Sequence, residues 1–334
     1  MFCGSTKLRR YHIVVYILMA LCTLGLEAPP SSAQSPPSPP GSQIGGSPLI
    51  FDGTYLWASS TRSNAVLKLS SLSGKLLGSF PVGQSPQGLA SDGKNIWVAN
   101  SGDATVTKLR ADDGATLGVF EAGVEPVAVL AVGDYVWIAD RGADAVTKLR
   151  ASDGQTVGTY GVGGSPTALA TDGENIWVLN PGSGSVTKLL ASTGENLGNF
   201  PVGDSPSSFA YDGSDLWVAG GASGTVAKLS PKDCEVLASY QVSDRASQIV
   251  FGKGYLWVSD SSKNAVLKIS PSDGTVLLSA NSVGRGEAIA IDGTNLWVAD
   301  GSFSYVVKLD GTTGRVVGNA SLQAAPPQPP PAQN

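Results

Sequence analysis

Seven Trp residues, Trp57, Trp97, Trp137, Trp177, Trp217, Trp257 and Trp297, are all the Trp residues of this 334-residue chain, and each lies forty residues after the last. Lys68, Lys108, Lys148, Lys188, Lys228, Lys268 and Lys308 keep the same step. A fixed period of this size, unbroken over seven copies, demands that one supersecondary unit be built seven times and stacked on itself. The unit is short-stranded. In the second copy "QGLAS" precedes Asp92-Gly93, then come "NIWVAN", "SGDA" and "TVTKLRA", then Asp113-Gly114 and "ATLGVFEAG". Asp-Gly between apolar runs is a tight-turn signal, because Gly accepts positive φ without steric cost. No stretch of ten residues keeps a helical period.

Four strands joined by three hairpins make one twisted antiparallel sheet with apolar residues on both faces. Such a sheet needs a neighbour on each side, and seven of them satisfy one another by closing into a ring. An open solenoid would instead carry distinct capping repeats, whereas the first and last copies here resemble the rest. The expected fold is all-β: a seven-bladed β-propeller of four-stranded antiparallel blades over residues 47–322, each blade drawn from one continuous segment.

The flanks are different in kind. "MFCGSTKLRRYH", "IVVYILMALCTLGL" and "EAPPSSAQ" read as a charged start, a short apolar core and a small-residue stop, a secretory signal cleaved after Ala33. An uncleaved anchor is the alternative. Residues 34–46 and 323–334 are rich in Pro and small polar residues and read as a linker and a tail. Without residues 1–33 the chain keeps 19 basic and 26 acidic side chains, a net charge of −7, with Cys234 as its one Cys and no His. That balance argues against nucleic acid as a partner. No internal disulfide is possible, and no membrane span remains after cleavage. A monomer is expected.

The repeated "LWVAN…ATVTKL…DG" pattern resembles the YVTN and NHL-like propellers of exported bacterial proteins, and it is similar to the propeller of streptogramin lyases over about residues 45–322. The resemblance implies the fold, and a fold does not fix an activity. Streptogramin lyases imply a His base, and the mature chain has no His to fill that role. The same absence removes Ser-His-Asp and Cys-His chemistry and a His-bound zinc site. No catalytic residue, metal site or cofactor is therefore assigned. Cys234, between Asp233 and Glu235, reads as an unreactive thiol whose concern is intermolecular disulfide formation.

The repeated side chains read as architecture. The Trp rings fill the wedge between blades, the Lys stems cover inter-blade apolar surface with the ammonium at the rim, and Asp52, Asp92, Asp172, Asp212 and Asp292 serve turns. The departures from the repeat carry the functional expectation. Two loop classes, between strands two and three and between successive blades, should open on one face. There Arg62, Arg141, Arg245, Lys263, Arg285, Glu287, Phe303 and Tyr305 replace small residues, with Glu125 in copy three. Blades six, seven and one are neighbours on a ring, so Arg245, Lys263, Arg285, Phe303, Tyr305 and Arg62 would form a basic arc with two aromatics. That composition suits a protein, a polysaccharide or an anionic small molecule. The expected function is a non-catalytic exported binding scaffold; the alternative is a metal-dependent lyase or lactonase built on carboxylates.

Overall fold

The computed structural model describes residues 44–46, 48–281, 286–300 and 304–322, and of Ile44, Gly45 and Glu287 the backbone alone. The segments expected from sequence to be a signal (1–33), most of the linker and the tail lie outside the described residues. Seven antiparallel sheets follow one another along the chain, at 49–81, 86–121, 126–161, 168–201, 208–241, 246–281 and 286–321, each with its four strands in sequence order. These are blades 1 to 7. The described helical content is two 3₁₀ turns, Arg141–Ala143 and Pro181–Ser183, both in loops between second and third strands.

In every blade the Trp of the second strand stands opposite the Lys of the third, from Trp57↔Lys68 to Trp297↔Lys308. Cross-strand partners share a face, and that face packs on the next blade. Trp57 and Val66 meet Leu89, Ile96 and Val98 of blade 2, and Trp297 and Val306 meet Leu49, Leu56 and Leu69 of blade 1, which closes the ring. All seven indoles are at most 1% exposed. Four of them donate Nε1–H to the recurring Asp five residues earlier: Trp57 to Asp52 at 2.6 Å, Trp97 to Asp92 at 2.9 Å, Trp217 to Asp212 at 2.8 Å and Trp297 to Asp292 at 2.9 Å. The other carboxylate oxygen of that Asp accepts turn amides, as Asp52 Oδ1 does from Thr54 and Tyr55. The Asp thus satisfies a buried donor as well as a turn.

The Lys side chains reach further than the rim. Lys68 Nζ donates to the carbonyls of Ala111 and Asp112 at 2.8 and 2.7 Å, Lys148 to Ala191 and Ser192 at 2.8 and 3.1 Å, Lys188 to Pro231 and Lys232 at 2.9 and 2.8 Å, and Lys308 to Ser71 and Leu72 at 3.0 and 3.1 Å. Six of the seven ammonium groups, all but that of Lys188, are held over their own Trp ring, Lys148 at 4.9 Å and Lys308 at 4.9 Å from the centroid. The ammonium is a clasp between blades, and burial pulls the Lys68 and Lys148 groups below the ordinary lysine range. In blade 5 Lys228 pairs instead with Asp215 at 2.8 Å.

Beyond the Lys, the pairing of third and fourth strands slips by one residue in all seven blades, a bulge in each outer strand. The turn before that strand takes positive φ at Gly74, Gly114, Gly154, Gly194, Gly274 and Gly314, and at Cys234 in blade 5. Cys234 is 2% exposed and packs in the cluster of Trp177, Phe209 and Tyr211. Burial pushes its thiol up to about 11. The expectation of intermolecular disulfide formation is therefore corrected: the hairpin position is a turn, but its side chain faces the core. The signal was the residue it replaces, since Gly stands at that position in the other six copies.

One element lies apart from the repeat. Ile44–Gly45 is a strand that pairs antiparallel with the first strand of blade 4, Ile44 with Ala170 and Gly45 with Leu169, and makes that sheet five-stranded. The first strands line the axis, so the segment left to the linker by its composition runs through the middle of the ring.

Candidate functional site: the loop face and the axis

The two loop classes do share one face, and hydrogen bonds interlock them. Gly102 N–H donates to Gln84 O at 2.9 Å, Gly142 to Val124 O at 3.0 Å and Gly182 to Gly164 O at 3.0 Å. Two inter-blade loops also lean on the preceding blade: Ser85 N–H donates to Asn64 Oδ1 at 3.0 Å, and Ser165 N–H to Asp144 Oδ1 at 2.7 Å. Asn64 and Asp144 have φ of 50° and 49°, a left-handed conformation that Asn and Asp tolerate. Ala104 occupies the same position at φ 56° and offers Glu125 N–H no side-chain acceptor. Ala104→Asn is therefore expected to stabilise the protein by about 1 kcal/mol, through lower backbone strain and a restored cap. Thermal unfolding checks this, and an unchanged or lower Tm would refute the equivalence.

Beneath the loops, buried polar side chains end the second strands of blades 2, 3, 4 and 6. Asn100, Asp140, Asn180 and Asp260 are all 0% exposed. Asn100 and Asn180 Nδ2 each donate to a Thr hydroxyl at 2.9 Å, Thr107 and Thr187. Asp140 fills the same place as an acid. It accepts from Thr147 Oγ1 at 2.6 Å and Gly123 N–H at 3.1 Å, yet burial prevails and pushes its carboxyl up to about 6. Asp260 Oδ1 takes Ser262 N–H at 3.0 Å and Lys263 N–H at 3.2 Å.

The candidate residues fall into distinct situations. Arg62 and Arg245 are exposed, and neither forms an ion pair among the described residues. Lys263 lies 3.7 Å from Asp244 and 3.9 Å from Asp260. Arg141 pairs with Glu125, which holds the carboxyl below and the guanidinium above their ordinary ranges. That pair belongs to blade 3 and does not join blades 6, 7 and 1. Tyr305 is half-buried, packed toward blade 6, and lines a shallow cavity of about 470 Å³ with Ser304, Asn319, Ala320 and Ser321. Arg285 and Phe303 lie outside the described residues, as does the side chain of Glu287. Among the described residues no group of three His, Cys, Asp or Glu is arranged to hold a metal, and no helix is long and apolar enough to cross a membrane.

The axis itself is narrow on the side of blades 2 to 4. A Cβ built on Gly46 would lie 2.7 Å from Thr167 O and 3.1 Å from Ala128 Cβ, and one on Gly88 would lie 2.9 Å from Gly46 Cα. Gly88, Ala128 and Ala168 are equivalent positions in the repeat, and Ser208, Gln248 and Ala288 continue the series. Reading by period could have found this run of small residues. It could not have found the strand that uses it, because two residues carry no periodicity.

With the geometry in hand, comparisons place the chain. The sequence profile of a family described as "Outer membrane protein assembly factor BamB" matches residues 182–329, which is less than half of the chain. No curated protein gives a significant match. Among solved structures, a streptogramin B lyase is similar with a TM-score of 0.65 and 16% identity, covering 79% of this chain and 91% of that one. A protein of unknown function from Desulfotomaculum acetoxidans is similar with a TM-score of 0.69 and 14% identity, covering 80% and 95%. The computationally designed protein Ika8 is similar with a TM-score of 0.65 and 16% identity, covering 84% and 87%. At these identities the likeness is one of fold. The chain is a seven-bladed β-propeller, similar in fold to streptogramin B lyase and matched by the BamB family from the middle of blade 4 onward.

Proposed function

We propose that the protein is an exported, non-catalytic scaffold that binds a protein, a polysaccharide or an anionic small molecule across its loop face. The observation that carries this reading is how the charges of that face are used. Four of its acids are engaged in architecture, Glu125 with Arg141, Asp144 with the Ser165 amide, Asp103 with the Gln84 amide and Asp260 with its own loop, while Asp204 and Asp244 stay exposed. Arg62 and Arg245 also face solvent. Guanidinium groups left open in this way suit carboxylate, sulfate or phosphate oxygens. The family matched over residues 182–329 is described as an outer membrane assembly factor, which supports a place beyond the cytoplasmic membrane and a protein among the partners. The charged and apolar start of the chain supports export.

The test is a thermal-shift screen of the protein against acidic sugars, polyanions, lactones and divalent metals. A ligand at one hundred times its Kd stabilises by roughly 2.7 kcal/mol. Arg62→Ala combined with Arg245→Ala is expected to weaken an acidic ligand about tenfold, roughly 1.4 kcal/mol, without changing the unliganded Tm. A shift with metal alone, abolished by chelator, would replace this reading with the metal-dependent lyase or lactonase.

A further inference from the structure

We infer that the axial groove along blade 4 is a binding site for an extended, glycine-containing peptide, and that the chain's own Ile44–Gly46 occupies it in cis. This goes beyond the loop-face reading and does not depend on it. Three observations converge. The first strand of blade 4 pairs with Ile44 and Gly45 through its inner edge, at Ala170 and Leu169. An inner edge turned to the axis presents unpaired backbone groups that an added strand satisfies.

The second observation is the shape of the wall. At the equivalent repeat positions Gly88, Ala128 and Ala168 leave a lane one main chain wide, so tight that a Cβ on Gly88 would stand 2.9 Å from Gly46 Cα. In blades 5 and 6 the same position is Ser208 and Gln248, whose side chains approach each other at 3.3 Å. Gly88, Ala128 and Ala168 thus leave room where the peptide lies, and Gln248 is the one long side chain of the series. Gly46 has φ +110° and its missing Cβ would meet Thr167 O at 2.7 Å, so the lane selects glycine at that point.

The third observation is the length of the ladder. Two paired residues hold Ile44–Gly45, so the cis segment is exchangeable in a way the four-stranded blades are not. The recognition is that of strand addition: main-chain hydrogen bonds to the edge, with glycine read by the wall.

The experiment uses the full chain. Gly46→Val is expected to drive the segment out, because its Cβ clashes with ring backbone. Hydrogen exchange of the Leu169 and Ala170 amide region should then rise at least tenfold over the unaltered protein. A fluorescein-labelled peptide of sequence SQIGGSP should bind this variant, restore the protection, and bind the unaltered protein at least tenfold more weakly. Gly46→Val with Gly88→Val should not bind it, since the second Cβ closes the lane. Should Gly46→Val fail to fold, Ile44→Pro with Gly45→Pro removes whichever of the two N–H groups faces the blade 4 edge and leaves every ring residue in place. A folded variant of either kind with unchanged exchange at Leu169 and Ala170, or with increased exchange but no peptide binding, overturns the inference.

Discussion

Trp297→Ala is expected to cost the ring about 3–5 kcal/mol, the range for truncating a fully buried aromatic. The ring is 0% exposed and joins the blade 7 cluster to Leu49, Leu56 and Leu69 of blade 1. Its loss opens a cavity where Gly74 now packs on the indole; a Cβ there would lie 2.9 Å from the ring. It also strips Asp292 Oδ2 of the Nε1–H donor at 2.9 Å, one of the interactions that hold this carboxyl below its ordinary range. Chemical denaturation checks the value. Trp297→Phe should recover roughly half of the loss, because it refills volume without the donor. A loss below about 1 kcal/mol for Trp297→Ala would mean that the wedge collapses freely and that the indoles do not set the blade spacing.

Asp140→Asn should act in the opposite direction, and only above a certain pH. Burial pushes the Asp140 carboxyl up to about 6, whereas an unfolded Asp titrates near 3.9. The folded protein therefore holds the proton more tightly than the unfolded chain. The resulting stability is fully present below about pH 4 and is lost as pH rises through about 6. Asn cannot ionise, and Asn100 and Asn180 already perform this task against Thr107 and Thr187. In Asp140→Asn, Oδ1 would still accept from Gly123 and Nδ2 would donate to Thr147. The expected gain is about 2 kcal/mol at pH 7.5 and close to nothing at pH 4. Unfolding free energies of both proteins across that range decide it, and a gain independent of pH would assign the effect to something other than ionisation.

These contrasts show what could be read from the chain and why. The ring was legible because forty-residue spacing of Trp and Lys repeats one packing problem seven times, and a single solution satisfies every copy. The loop face was legible for the same reason: loops at fixed offsets emerge together. Less was visible where two copies cooperate. The Lys clasp joins residues 43 and 44 positions apart, as in Lys68 to Ala111 and Asp112, and nothing local in either segment announces the partner. The Asp–Trp pair was visible in principle, since its spacing of five recurs, but a turn explained the Asp first. Cys234 was misplaced because an outer hairpin suggested exposure, while the left-handed turn position that Gly194 holds in the preceding copy directs its side chain inward. The axial strand was beyond reach because it obeys no period. Of the basic arc, Arg62, Arg245 and Lys263 are on the loop face, and the pairing of Arg141 with Glu125 depends on a contact between two loops that only the fold brings together.

Because every blade is cut from one stretch of chain, no strand is shared across the junction of blades 7 and 1. The two ends of the ring meet through side chains, with Trp297 and Leu322 against Leu49 and Leu56 and with Lys308 on the carbonyls of Ser71 and Leu72. That junction has the same Trp wedge as the others and the same Lys clasp as those after blades 1 to 4, and lacks a peptide connection. Where the numbering starts is thus mechanically arbitrary: a circular permutant opened at another inter-blade loop would forfeit no hydrogen-bonded strand. The junction is also the place where the circle can part without breaking the backbone, and its opening is resisted by one nearest-neighbour interface.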